Sequence, residues 1–145
     1  MIQRIQSIFL FLAAVSFGIL FVLPMASSNK IATDFFSDQV YTITDHPVLL
    51  ILTITGILVA LIAIFLYANR SLQVKLGYLV LLLAISLPLT AFLLLSNQTT
   101  AMDSAVQVNN QPGFLVPLGA LLFGALAIFN IRKDDKLVKS MDRLR

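Results

Sequence analysis

Asp34, Asp38, Asp45 and His46 place three carboxylates and the chain's only imidazole within one polar stretch. Asp34 and Asp38, four residues apart, share a face of a helical turn, so with Asp45 or His46 they offer oxygen and nitrogen ligands to a divalent cation. A carboxylate beside an imidazole is also the minimum equipment for general acid–base catalysis. The pattern is sparse, however. A calcium loop carries ligands at every second position, and His46 directly precedes Pro47, the place of a helix-entry residue. The expectation is solvated acids, with no metal and no cofactor.

Other chemistries are limited by what the chain lacks. With no cysteine it has no thiolate for disulfide exchange or for an iron–sulfur cluster. With one histidine, a single copy cannot build a two-histidine haem site or a histidine-rich zinc site.

The elements that would position these residues follow from hydropathy. Hydrophobic residues make up 59% of the 145, and charged residues only 12% where a soluble domain has about 25%. They fall into four blocks, at 5–25, 47–68, 77–95 and 114–131. Each approaches the ~20 residues that cross a bilayer core of ~30 Å. The first is longer than the ~7–15 apolar residues usual in a cleaved leader, so it reads as a retained span. The sequence therefore predicts a single all-α membrane domain over 1–145, an antiparallel four-helix transmembrane bundle.

Nine of the ten Lys and Arg residues lie at the amino terminus, between the second and third blocks, or after the fourth; Lys30 is the exception. Basic residues accumulate on the cytoplasmic side of a membrane. Both termini are then cytoplasmic, and the loops 26–46 and 96–113 face outward. Within the four blocks there is no Asp, Glu, Lys, Arg or His. Ion-coupled transporters and proton relays place such groups at membrane depth, which weighs against those functions. Ser16, Thr53, Thr55, Ser86, Thr90 and Asn130 would give a pore only a thin polar lining. Their side chains are expected to bond back to their own helix.

Helices in lipid associate through close backbone approach, so small residues mark their contact faces. Ala14 and Gly18, Gly56 and Ala60, Ala84 and Pro88, and Ala120 and Gly124 recur at four-residue spacing, one pair in each block. A sustained seven-residue repeat implies gentle left-handed coiling. Pro88 falls inside the third block and removes one backbone hydrogen bond there. In the outer loops, residues 40–44 alternate in the manner of a strand and predict a short ribbon with 105–108. Such a ribbon must rest on the bundle to persist.

The tail, 132–145, has apolar residues at Leu137, Val138, Met141 and Leu144, a helical spacing, among Arg132, Lys133, Lys136, Lys139 and Arg143. That reads as an amphipathic helix able to lie on an anionic leaflet or to dock a protein. Its charge is too short and too mixed for nucleic acid.

The opening Met1-Ile2-Gln3-Arg4-Ile5-Gln6-Ser7, the segment Asn69-Arg70-Ser71-Leu72-Gln73-Val74-Lys75-Leu76, and the closing Ile131-Arg132-Lys133-Asp134-Asp135-Lys136-Leu137-Val138 with Asp142-Arg143-Leu144-Arg145 carry a resemblance. On these the chain resembles an uncharacterised family of small four-helix inner-membrane proteins of Bacteroidota. The resemblance implies a bacterial cytoplasmic membrane and names no activity. It also makes the acceptor triplet Asn97-Gln98-Thr99 irrelevant to glycosylation. The function expected is a non-enzymatic accessory or scaffold protein that holds a membrane or cytoplasmic partner, with a homo-oligomer also allowed. The alternatives are a transporter subunit or oligomeric pore, and then an enzyme of the outer-loop Asp and His residues.

Overall fold

A computed structural model of the chain describes residues 3–29, 38–100 and 108–142. Four helices dominate: α1 Gln3–Ile19, α2 Pro47–Phe65, α3 Arg70–Thr100 and α4 Val116–Asp142. They pack antiparallel in a ring, α1 against α2 and α4, and α3 against α2 and α4. Three are long and apolar enough to cross a membrane; the apolar part of α1, Ile5–Ile19, is shorter. Only 28–33% of the three long apolar windows is buried inside the chain. Much of the rest faces outward.

The contact faces follow small residues against large ones. The Phe17 ring lies 3.0 Å from where a Cβ on Gly56 would stand, and Leu81 lies equally close to that of Gly124. Ala14, Ala60, Ala84 and Ala120 are buried in the same core, beside Phe17, Leu49, Val80 and Leu87. Gly18 departs from the expected pattern, for a Cβ there would meet nothing within 4 Å. The buried face of α1 runs through Gln6, Leu10, Ala13 and Phe17. Gly18 is a 100° step beyond Phe17 and falls off it. Pro88 is half-buried in α3, which continues through it.

Each helix also differs in length from its apolar block. The first stops at Ile19, six residues before the block's end at 25, and passes through turns in which the amides of Phe21 and Val22 donate to Gly18 and Ile19. The segment 69–76, between the second and third blocks, is Asn69 followed by the first turns of α3. Asn69 caps α3 by accepting from the Leu72 amide at 3.3 Å. The buried Gln73 side chain donates to the Ala63 carbonyl at 3.0 Å. The last carbonyls of a helix lack intrahelical donors, so Gln73 ties the end of α2 to the start of α3. The tail is no separate helix either. No Gly or Pro interrupts the sequence after Gly124, and α4 runs through to Asp142.

Opposite the basic end, a three-stranded antiparallel sheet closes the bundle, with β1 Ala26–Ser28 between β2 Val40–Tyr41 and β3 Val108–Asn110. A ribbon between the two outer loops does form, but with other partners than expected: Val40–Tyr41 and Val108–Asn110 do not pair with each other, and each pairs with β1, Ala26 standing opposite both Tyr41 and Asn110. Residues 105–107 lie outside the described residues. Met25, Tyr41 and Ile43 are buried in the bundle core, so the sheet rests on the helices as its small size requires.

Candidate functional site at the basic end of the bundle

The amino end of α1, the α2–α3 connection and the carboxyl part of α4 meet at one end of the ring. There the buried stripe of α4 continues beyond the apolar block through Ile131 to Asp134. Asp134 is only 6% exposed, and its Oδ2 accepts a hydrogen bond from the Gln6 side chain of α1. Gln6 also reaches the Asn130 carbonyl at 3.5 Å. A carboxylate is costly to bury without hydrogen bonds, and the Gln6 amide supplies a donor. This pair holds the helix to the bundle past its apolar block.

The other tail residues surround that buried line. Arg132, Lys133 and Lys136 are exposed, and Leu137 is 46% exposed. Val138 is half-buried. The Arg132 guanidinium stands 5.2 Å from the centre of the Tyr78 ring, within range of a cation–π contact. Lys139 and Met141 belong to α4. Arg143 and Leu144 lie outside the described residues. The expected apolar stripe is therefore divided, since Val138 follows the bundle-facing row while Leu137 faces away from it.

At the opposite end, the acids and the histidine singled out for chemistry serve the backbone. Asp38 accepts from the Val40 amide at 3.3 Å, and Asp45 accepts from the Thr42 amide at 2.6 Å. His46 is the N-cap of α2, its Nδ1 accepting from the Val48 amide at 3.2 Å. Asp34 lies outside the described residues. Among the described residues no group of three or more His, Cys, Asp or Glu could hold a metal ion. Burial, reinforced by the nearby Asp45 carboxylate, pushes the Tyr41 hydroxyl up to about 12.

The polar side chains within the helices also turn inward on their own backbones. Ser16 donates to Leu12, Thr53 to Leu49, Ser86 to Leu83, Thr90 to Ser86 and Asn130 to Leu126, each to a carbonyl at 2.6–3.1 Å. Two features of consequence had no sequence signal strong enough to find them. Gln6 and Gln73 are ordinary polar residues at helix ends until their partners, distant in sequence, are placed.

The model of a family described as domain of unknown function (DUF4293) matches residues 2–144, and the chain belongs to that family. No curated protein matches the chain. No solved structure matches it.

Proposed function

We propose that this member of the DUF4293 family is a non-enzymatic accessory protein of a bacterial cytoplasmic membrane, with both termini inside, that presents the carboxyl part of α4 to a protein partner. The observation that carries the reading is the unbroken course of α4. Its 27 residues extend about 40 Å, against a hydrocarbon core of ~30 Å. Its last turns therefore stand beyond the lipid interior as a rigid continuation of a span.

Several features support this use. Asp134 and Gln6 fix the direction of the arm, while Arg132, Lys133, Lys136 and Leu137 are left on its exposed sides. Cations on such a surface steer approach and orientation, and an apolar residue supplies contact area. A catalytic reading has little to draw on, since Asp38, Asp45 and His46 hold turns and a helix cap. A pore reading is weakened because the intramembrane hydroxyls named above already donate to their own helices.

The test uses the full-length chain in mild detergent, as wild type and with Leu137→Asp and Met141→Asp. The expected result is a partner retained by the wild type and lost by the variant, whose thermal stability is unchanged. Equal retention of every co-purifying protein by both would overturn the docking role.

A further inference from the structure

The first turns of α3 and the end of α4 do not close completely on one another. Between them lies a cleft of about 310 Å³ lined by Arg70, Ser71, Val74 and Lys75 of α3 and by Arg132 and Asp135 of α4. Three cations and one carboxylate leave the lining with a net charge of +2 however Asp135 is paired. The volume stands at the small end of the ~300–1,000 Å³ range of ligand pockets. It suits a compact anion.

What surrounds the cleft indicates where that anion comes from. Along α3, Ser71 and Lys75 share a helical face with Tyr78, Leu82, Ile85 and Leu89, at alternating steps of four and three. Those four are exposed, as are Phe129, Leu122 and Leu118 on the neighbouring α4. A cationic cleft thus opens at the head of an uninterrupted apolar flank. Tyr78 stands at the junction with the Arg132 guanidinium over its ring, in the manner of an interfacial aromatic.

We infer that the α3–α4 cleft binds a phosphate-bearing anion, the headgroup of an anionic phospholipid whose acyl chains lie along the apolar flank below it. Arg70 and Arg132 offer planar guanidinium donors suited to two phosphate oxygens each, and Lys75 adds a mobile ammonium. The headgroup and the acyl chains are held by different parts of the same surface. A soluble phosphate would meet only the cleft and forgo the flank. The site does not depend on the docking role of the tail.

The experiment measures thermal unfolding of the full-length protein in neutral-detergent micelles titrated with phosphatidylglycerol, phosphatidylcholine, glycerol 3-phosphate or inorganic phosphate. Phosphatidylglycerol should raise Tm in a saturable way, because a ligand of the folded state stabilises it. Phosphatidylcholine and the two soluble phosphates should not match it at equal concentration. Arg70→Gln with Lys75→Gln and Arg132→Gln should weaken the response about tenfold or more, a loss of at least ~1.4 kcal/mol. Lys133→Gln with Lys136→Gln, cations of α4 outside the cleft, should leave it intact. Should the triple variant not fold, Lys75→Gln alone should weaken the response by about threefold or more.

A response equal in wild type and cleft variants would overturn the site, as would an equal loss in the Lys133/Lys136 variant. A saturable response to the soluble phosphates matching that to the lipid would overturn the lipid assignment.

Discussion

Gln6 in the second turn of α1 donates its side-chain amide to Asp134 near the end of α4, joining positions 128 residues apart inside the bundle. Removing the donor while leaving the buried carboxylate should be expensive. Gln6→Leu is expected to destabilise the protein by about 1–3 kcal/mol. Asp134→Asn keeps an acceptor for Gln6 and should cost less. Gln6→Leu combined with Asp134→Leu should recover part of the loss, because replacing both partners removes the unsatisfied group. Thermal unfolding of the three variants in one detergent checks the order.

The glycines predict a contrast. Gly56→Leu and Gly124→Leu must displace Phe17 and Leu81, and are expected to destabilise by about 1–3 kcal/mol. Gly18→Leu meets open space and should change stability by no more than about 0.5 kcal/mol. Equal effects at all three positions would contradict the packing of α1 described above.

Gly113 is the tightest point of the sheet end. A Cβ there would stand 2.3 Å from the Pro24 carbonyl oxygen, and the Gly113 amide donates to that same oxygen at 3.0 Å. Backbone cannot yield as a flexible side chain can. Gly113→Ala should therefore destabilise by about 2–4 kcal/mol, more than Gly119→Ala, whose Cβ would meet only the Ser16 side chain, with Oγ at 3.3 Å and Cβ at 3.8 Å. Thermal unfolding of the pair decides it.

These positions also show what a sequence can disclose about this fold. Apolar blocks of near-spanning length, broken by polar loops, made four helices legible, because lipid leaves few other solutions for such a chain. Small-residue spacing picks out Gly56 and Gly124, which lie against Phe17 and Leu81, together with Gly18, which has no such neighbour, since four-residue spacing advances 40° beyond a full turn and does not guarantee one face. Helix limits were harder. They depend on Asn69, Gln73 and Asp134, whose effects come from hydrogen bonds to other elements rather than from local preference. Strand β1, Ala-Ser-Ser, has little β-propensity and forms because Tyr41 and Asn110 flank it in space. The cleft was invisible for the same reason: Lys75 and Arg132 are distant in sequence and meet only when α3 and α4 pack.

Tyr41 gives a pH dependence. Its hydroxyl is pushed up to about 12 in the folded protein, chiefly by burial, against ~10 for an unfolded tyrosine. The folded state thus retains the proton longer. Its contribution to stability is fully present below pH ~10 and falls as pH rises through the interval toward 12. Tyr41→Phe should flatten that decline while leaving the profile between pH 6 and pH 8 unchanged, as unfolding curves across the alkaline range would show.

The proposed function requires the basic end of the bundle to face the cytoplasm, because only there can the α4 arm meet a cytoplasmic partner. The natural chain has no cysteine, so a single introduced thiol reports its own side without background. Ser140 is exposed near the end of α4, and Asn109 is exposed in β3 at the other end. In right-side-out membrane vesicles, an impermeant maleimide should label Asn109→Cys at once and Ser140→Cys only after the membrane is opened. Immediate labelling of Ser140→Cys with protection of Asn109→Cys would contradict the orientation and, with it, the proposed function.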